Sequence, residues 1–223
     1  MTAKPRDIVA AGYDRVATRH LEWMSQIRGD PRLRFLRDLM TRLPPHPAVL
    51  DLGCGAGVPC TALLAERGDV AGVDLSISQL RLASQNVPRA RFIKADMTTL
   101  ALRSASFDAV TAFYSVMHVP RDQHGSLFRS IATWLHPGGH LLAALGCGAD
   151  EGKVEDWLGT PMFFSSHDTH TNRRLLAEAG LTVLLDQVVT MQEPEGPATF
   201  HWMIAKLAHP TTALAATSDH PLR

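Results

Sequence analysis

The spacing of apolar residues changes along the chain, and these changes predict a succession of helices and strands. Over 7–27 and 30–43, apolar residues recur at helical spacing, which predicts two N-terminal helices. After residue 47, short apolar runs alternate with segments of helical period. The runs that predict strands lie at 48–52, 69–75, 90–96, 107–115, 140–146, 181–191 and 198–208. This alternation is typical of an α/β sheet with parallel strands.

The last two predicted strands, 181–191 and 198–208, have no helix between them. Only the turn-forming segment QEPEGP, 192–197, separates them, which predicts an antiparallel hairpin at one edge of the sheet. The pattern as a whole predicts an α/β fold with a doubly wound, seven-stranded Rossmann-like sheet, a reversed C-terminal edge hairpin and an N-terminal helical cap.

The order of the elements predicts three parts in the chain. Residues 1–46 form the helical cap, residues 47–208 form the sheet domain, and residues 209–223, which are small and polar, form a disordered tail. One connection in the sheet domain, 147–167, is longer than the usual ~2–6 residues and rich in aromatic residues. Its composition predicts a cap loop over a site; the alternative is a packed surface loop containing a short helix.

Composition limits the classes of function. The 223 residues carry 22 Lys+Arg and 22 Asp+Glu, so the formal net charge is zero. This argues against a nucleic-acid partner, because a surface that binds nucleic acid is normally basic. No apolar run reaches the ~18 residues of a membrane span, and no secretory signal is present. The three cysteines form no CxxC pair, so we expect no disulfide, no metal site and a cytoplasmic location. Both a monomer and a homodimer are compatible with these observations.

The segment 49–59, VLDLGCGAGVP, ends an apolar strand with an acid and then places three glycines on alternate positions. Such glycines let the backbone approach a ligand closely. A Walker loop is excluded because no Lys-Ser/Thr follows, and Val58 stands where a dinucleotide fingerprint needs its third glycine. Asp51 would repel a pyrophosphate but stabilise a cationic ligand such as S-adenosylmethionine (SAM), which has a sulfonium, an ammonium and no phosphate.

Two further acids end the next two predicted strands. Asp74 lies 23 residues after Asp51, at the place where an acid accepts hydrogen bonds from both ribose hydroxyls of a nucleoside ligand. Asp96 follows in FIKADM, where its carboxylate would accept from an adenine amine and the Met97 N–H would donate to a ring nitrogen. A single aspartate at a strand end often only caps a loop. Three at successive strand ends indicate a binding site.

Five segments together resemble the ordered motifs of one family. They are VLDLGCGAGVP, GVDLS, FIKADM, FDAVTAFYSVMHV and WLHPGGHLLAAL, and they cover roughly residues 48–146. In this order they resemble the class I SAM-dependent methyltransferases, and among them the small-molecule type. The resemblance implies a seven-stranded sheet with a reversed edge hairpin, which agrees with the strand count. It also implies SAM as cofactor, S-adenosylhomocysteine as product and a SAM-binding domain over 47–208.

The resemblance further implies which residues hold SAM. Those at the sheet are Gly53, Gly55 and nearby Asp51 at the methionine part, Asp74 at the ribose, Leu75, Asp96 and Met97 at the adenine, and Phe113 at the methionine end. The N-terminal segment GYDRVATRH resembles an element in which a tyrosine, here Tyr13, closes over SAM. Such members often carry a second tyrosine near position 20, where this chain has His20.

Candidates for the acceptor site come from the segments that should surround the methyl group. His118 follows the fourth strand, so it is the candidate catalytic base, and an imidazole suits proton transfer near neutral pH. Alternatively it only orients the acceptor or shapes the site. The remaining candidate acceptor contacts are Tyr114, Trp157, Phe163 and His201.

The predicted activity is transfer of a methyl group from SAM to an oxygen or nitrogen of a small organic molecule. The cap and the aromatic 147–167 segment favour a closed site and a small acceptor, such as a specialised metabolite. One alternative is a methyltransferase acting on protein or RNA, which would need an open basic groove. The other is a SAM-binding protein without transferase activity.

Overall fold

The computed structural model describes residues 3–209. The helices are α1 (Pro5–Met24), α2 (Arg32–Thr41), α3 (Cys60–Ala65), α4 (Ile77–Asn86), α5 (His124–Trp134) and α6 (Thr169–Glu178). The strands are β1 (Ala48–Leu52), β2 (Asp69–Asp74), β3 (Arg91–Lys94), β4 (Phe107–Phe113), β5 (Leu135–Gly146), β6 (Glu151–Trp157), β7 (Thr160–Ser165), β8 (Leu181–Glu193) and β9 (Gly196–Leu207). The expected tail falls on residues outside the described range, apart from His209.

Seven strands form one sheet in the order β3-β2-β1-β4-β5-β9-β8. The strands β1 to β5 run parallel, and β9 is antiparallel to both β5 and β8. The Rossmann-like sheet with a reversed C-terminal edge hairpin is therefore confirmed. The strands β2, β1 and β4 lie side by side and run parallel. The loops that follow them therefore open at the same edge of the sheet.

Apolar side chains cover both faces of the sheet, as the continuous apolar runs of the strands require. On one face, α5 and α6 pack through residues such as Phe128 and Leu176, both fully buried. On the other face, α2 and α3 pack through Phe35 and Leu64, and Phe35 stacks on Trp202 of β9 at 4.7 Å between ring centroids. The sheet is therefore doubly wound, as the sequence predicts.

Helix α1 lies across the edge where the strands end, and side chains at several points along it fix its position. The carboxylate of Asp14 accepts hydrogen bonds from the Ser76 hydroxyl (2.6 Å) and the Ser78 N–H (3.0 Å) at the start of α4. At its far end, the Trp23 indole N–H donates to Glu195 in the β8–β9 turn (2.8 Å). These contacts hold the N-terminal cap over the sheet.

The long connection after β5 is a two-stranded hairpin, β6–β7, where the sequence predicts a cap loop or, alternatively, a packed surface loop with a short helix. The strands are joined by Leu158 and Gly159, which both adopt positive φ (52° and 83°), the geometry of a two-residue hairpin turn. Arg19 of α1 donates to the Leu158 carbonyl (2.7 Å), so the turn is fixed to the cap. Within residues 3–209, no helix has the length and apolar character of a membrane span.

Candidate active site

The glycine loop after β1 turns sharply against the segment that follows β4. Gly53 has φ +73°, and its N–H donates to the Val73 carbonyl (2.7 Å). A Cβ atom on Gly53 would lie 2.2 Å from the Cβ of Ser115, whose hydroxyl donates to the Leu52 carbonyl (2.6 Å). Only glycine fits here, because a side chain would meet both a steric clash and an unfavourable backbone conformation.

The carboxylate of Asp74 orders this loop from the end of β2. One oxygen accepts from the Gly55 N–H (2.9 Å) and the other from the Ser76 N–H (2.8 Å). Burial raises the pKa of Asp74 to about 6, and the nearby Asp51 carboxylate adds to this rise. Each carboxylate oxygen still has a lone pair to offer, so the group can accept two further hydrogen bonds from a ligand.

The Asp51 carboxylate has protein partners for both of its oxygens. The hydroxyls of Thr61 (2.6 Å) and Thr111 (2.8 Å) donate to them, and the side chain is buried. Burial raises the pKa of Asp51, and the two hydroxyl hydrogen bonds oppose that rise. Asp51 therefore contributes chiefly a negative potential to the space beside the glycine loop.

Asp96 lies beyond β3 and lines a cavity that Asp51 and Asp74 also line. One of its oxygens accepts from the Thr98 N–H (2.9 Å) and the Thr98 hydroxyl (2.7 Å). The other lies 3.9 Å from a guanidinium nitrogen of Arg6 in α1. The cap thus reaches the end of the cavity where the sequence predicts an adenine contact.

These residues surround a cavity of about 460 Å³, which we call the glycine-loop cavity. All nine residues predicted to hold the cofactor line it: Tyr13, Asp51, Gly53, Gly55, Asp74, Leu75, Asp96, Met97 and Phe113. They come from α1 and from the ends of β1, β2, β3 and β4. The structure therefore brings the predicted set together.

A second cavity of about 600 Å³, which we call the aromatic cavity, lies beside the first. Its walls include Trp23 of α1, Trp157 and Phe164 of the β6–β7 hairpin, and Phe200 of β9. The two cavities share five lining residues: Tyr13, His20, Met24, Tyr114 and His118. The two cavities therefore adjoin at these residues, which we call the shared wall.

A hydrogen-bonded pair, Tyr13 and His118, occupies the shared wall. His118 Nδ1 lies 2.8 Å from the Phe163 carbonyl, which can only accept, so Nδ1 carries the proton. Nε2 therefore has a free lone pair, and it accepts from the Tyr13 hydroxyl at 2.8 Å. Burial lowers the pKa of His118 to about 4, which keeps the imidazole neutral near pH 7.

Two predicted acceptor contacts lie away from both cavities. The side chain of Phe163 is buried with Val9 and Met162, and its neighbour Phe164 faces the aromatic cavity instead. His201 is fully buried on the opposite face of β9, where its ring contacts Asn172 (3.3 Å) and Asp186 (2.9 Å). Residues 200 and 202 face the α2 side, so strand alternation turns His201 away. Tyr114, Trp157 and His118 do line the aromatic cavity, as predicted.

Comparison with known proteins identifies a domain in this chain. A family model described as a methyltransferase domain matches residues 49–139, the span that carries the glycine loop, Asp74 and Asp96. These residues therefore form a methyltransferase domain, in agreement with the resemblance of the sequence motifs to the class I SAM-dependent methyltransferases.

Several members of this family are similar to the chain. It is 38% identical over 127 residues to a trans-aconitate 2-methyltransferase of Azoarcus sp. (strain BH72), covering 55% of this chain and 49% of that protein. It is 28% identical over 159 residues to phosphoethanolamine N-methyltransferase 1 of Arabidopsis thaliana, covering 67% and 32%. The chain thus spans about half of the first relative's length and about a third of the second's.

Among solved structures, the fold is similar to that of a methyltransferase from Burkholderia thailandensis. That protein is the 1,6-didemethyltoxoflavin-N1-methyltransferase, whose crystal structure contains 1,6-didemethyltoxoflavin and S-adenosylhomocysteine. The TM-score is 0.68 at 19% sequence identity, and the match covers 93% of this chain and 92% of that one. The likeness extends beyond the sheet, since it includes nearly all of the chain.

The glycine-loop cavity fits the cofactor of the class I methyltransferases. Its acids match the donors of SAM, which are ribose hydroxyls, an adenine amine and an ammonium group. Gln79 of α4, which the sequence analysis missed, adds a buried amide oxygen that accepts no hydrogen bond from residues 3–209. The amide nitrogen of Gln79 lies 3.3 Å from His20 Nδ1, so the amide oxygen points away from His20. Gln79 follows the Ser76 cap by one turn of α4, but nothing in its type or position distinguishes it from other polar helix residues.

Proposed function

We propose that this protein transfers a methyl group from SAM to an oxygen or nitrogen of a small organic molecule held in the aromatic cavity. The observation that carries this proposal is the shared wall, since two cavities of ligand size meet at the Tyr13–His118 pair. When bound, SAM supplies a methyl group on a cationic sulfur, and transfer leaves the bonding electron pair on that sulfur. The acceptor atom must then contact that methyl group directly, where the two cavities meet beside the Tyr13–His118 pair.

In this proposal the glycine-loop cavity orients the cofactor. Asp74 accepts from the ribose hydroxyls, Asp96 and the Met97 N–H bind the adenine edge, and Leu75 packs on the adenine. Asp51 supplies negative potential, which favours a cationic ligand over a phosphate. Positioning two reactants in this way supplies much of the acceleration that a displacement reaction needs.

His118 is the residue that we propose to accept the acceptor's proton. Its Nδ1–H is fixed on the Phe163 carbonyl, which leaves Nε2 as the basic atom and stabilises the imidazolium once it forms. The Tyr13 hydroxyl now holds that lone pair, so an acceptor O–H or N–H would replace it or donate to the Tyr13 oxygen. Because the pKa of His118 is lowered to about 4, the ring is unprotonated near pH 7 and can accept a proton, but it is a weaker base than a free imidazole.

The shape of the aromatic cavity supports a small acceptor, and we propose a specialised metabolite. Helix α1 and the β6–β7 hairpin line the cavity, and Arg19 and Trp23 fix α1 to the hairpin turn and to the β8–β9 turn. A protein or RNA acceptor would need an open groove at this place. We also propose a cytoplasmic monomer or homodimer without nucleic-acid or membrane partners.

The experiment that tests the proposal uses SAM with a labelled methyl group and a panel of small alcohols, phenols and amines. The expected result is a labelled product that forms with the purified chain and forms about 100-fold more slowly in His118→Ala. A chain that binds SAM by calorimetry and yet labels no member of the panel would contradict the proposal. That outcome would favour the alternative of a SAM-binding protein without transferase activity.

A further inference from the structure

The charged side chains of the aromatic cavity are mostly acidic. Three acids and one cation line this cavity: Asp150, Glu151, Glu193 and Lys153. Glu151 is paired with Arg121 (3.0 Å), and the one cation, Lys153, is paired with Glu155 (2.7 Å). Within each pair the two charges offset each other. The carboxylates of Asp150 and Glu193 remain, so the net charge at the cavity wall is negative.

Glu193, at the end of β8, is the acid that is best placed to meet a ligand. It is half-buried, and within residues 3–209 no group donates a hydrogen bond to its carboxylate. Burial raises the pKa of Glu193 to about 6, and the carboxylates of Glu195 and Asp30 add to this rise. Glu193 also lies near the shared wall, because its charge contributes to raising the pKa of Tyr13.

The aromatic side chains surround the same space. The ring of Trp157 lies 5.5 Å from that of Tyr13, 6.0 Å from that of Trp23 and 5.9 Å from that of Phe164, measured between centroids. The indole N–H of Trp23 donates to Glu195 and so fixes the ring in place. Ring faces carry negative potential and attract cations, so these rings and Glu193 favour the same sign of charge.

We propose that the acceptor carries a basic, positively charged nitrogen, which the aromatic cavity binds through Glu193 and the rings of Trp23 and Trp157. This proposal rests on the proposed function, since it names the chemical class of the molecule that this site methylates. A polycarboxylate or a phosphate ester would place its charge beside an unneutralised carboxylate, and the cavity offers no free cation among the described residues to offset it. A strong anion should therefore bind this cavity less tightly than a cation does.

The test compares three probes of similar size that differ in charge: phenethylamine, phenylethanol and phenylacetate. Each is titrated by calorimetry into the full chain saturated with S-adenosylhomocysteine. We expect phenethylamine to bind about tenfold more tightly than phenylethanol, with phenylacetate weakest. Equal or tighter binding of the neutral or anionic probe would overturn the proposal, as would the absence of phenethylamine binding.

Variants at two glutamates locate the effect. Glu193→Gln should remove the advantage of phenethylamine, whereas Glu178→Gln should retain it, since the exposed Glu178 side chain of α6 lines neither cavity. An advantage that survives in Glu193→Gln would contradict the role of this carboxylate. Binding of S-adenosylhomocysteine, measured first in every variant, shows whether the chain is folded and tests the proposed function separately from the charge of the acceptor.

Discussion

The glycine-loop cavity and the aromatic cavity lie side by side, yet the chain builds them in different ways. The first is formed mainly by residues that follow neighbouring parallel strands, such as Gly53, Asp74 and Asp96, so the sheet brings them together directly. The second joins α1, the β6–β7 hairpin and the β8–β9 hairpin, and a single contact such as Trp23–Glu195 spans 172 residues of sequence. The difference suggests that cofactor binding depends on the sheet itself, and acceptor binding on elements attached to it.

The largest effect should come from Gly53→Ala, which breaks the glycine-loop cavity at its turn. Gly29→Ala is the matched control, because Gly29 has the same φ of +73° but no atom within 4 Å of an added Cβ. Denaturant unfolding should show a loss of about 3 kcal/mol at Gly53 and about 1 kcal/mol at Gly29. Equal losses would mean that Ser115 does not restrict this turn.

His118→Ala should alter the shared wall and leave each cavity otherwise intact. We expect kcat to fall about 100-fold, the usual effect of losing a general base, while the affinity for SAM changes little. His136→Ala, at an exposed position of β5 that lines neither cavity, serves as the control for removing an imidazole. Unchanged kcat in His118→Ala would assign His118 a structural role.

Asp74→Ala should weaken ligand binding in the glycine-loop cavity alone. Loss of two ligand hydrogen bonds of about 1 kcal/mol each corresponds to about 30-fold weaker SAM binding by calorimetry. Asp69→Ala, at the exposed start of the same strand, should leave SAM binding unchanged. If both variants bound SAM as the unaltered chain does, the ribose would not be bound by Asp74.

The smallest effect concerns pH and also originates from Asp74. The ionised carboxylate accepts from ligand hydroxyls, and because its pKa is raised to about 6, this form is lost as the pH falls through that value. SAM affinity should therefore decrease about tenfold between pH 7 and pH 5. Calorimetry at both pH values should show a smaller decrease in Asp74→Asn, and an identical decrease would assign the titration to another group.

The glycine-loop cavity was largely predictable because strand ends can be recognised locally. A parallel strand is a short apolar run, and the residue that ends it points to the sheet edge where ligands bind. This reasoning finds Asp74 and Asp96 and the seven-stranded sheet. It misses Gln79, whose buried oxygen depends on the tertiary placement of α4, and Asp14, whose bonds to α4 require α1 to lie across the sheet.

The aromatic cavity was only partly predictable, since long-range contacts decide which residues face it. A two-residue turn at 158–159 with glycine second was the available signal for the β6–β7 hairpin. Unless the hairpin is recognised, the sequence does not show whether residue 163 or residue 164 faces the cavity. For His201 the alternation of β9 was readable, but the face that carries the cavity was not. Glu193 was missed because the end of β8 carries no chemical motif.

Helix α1 supplies Tyr13 and His20 to both cavities, and this has a consequence for how such an enzyme can evolve. A substitution on that helix changes the environment of the cofactor and of the acceptor at once, so selection for cofactor binding restricts it. The β6–β7 and β8–β9 hairpins line the aromatic cavity and contribute no side chain to the glycine-loop cavity. Mutations there can alter acceptor preference while cofactor binding is preserved, which makes these two hairpins the preferred places to redesign specificity.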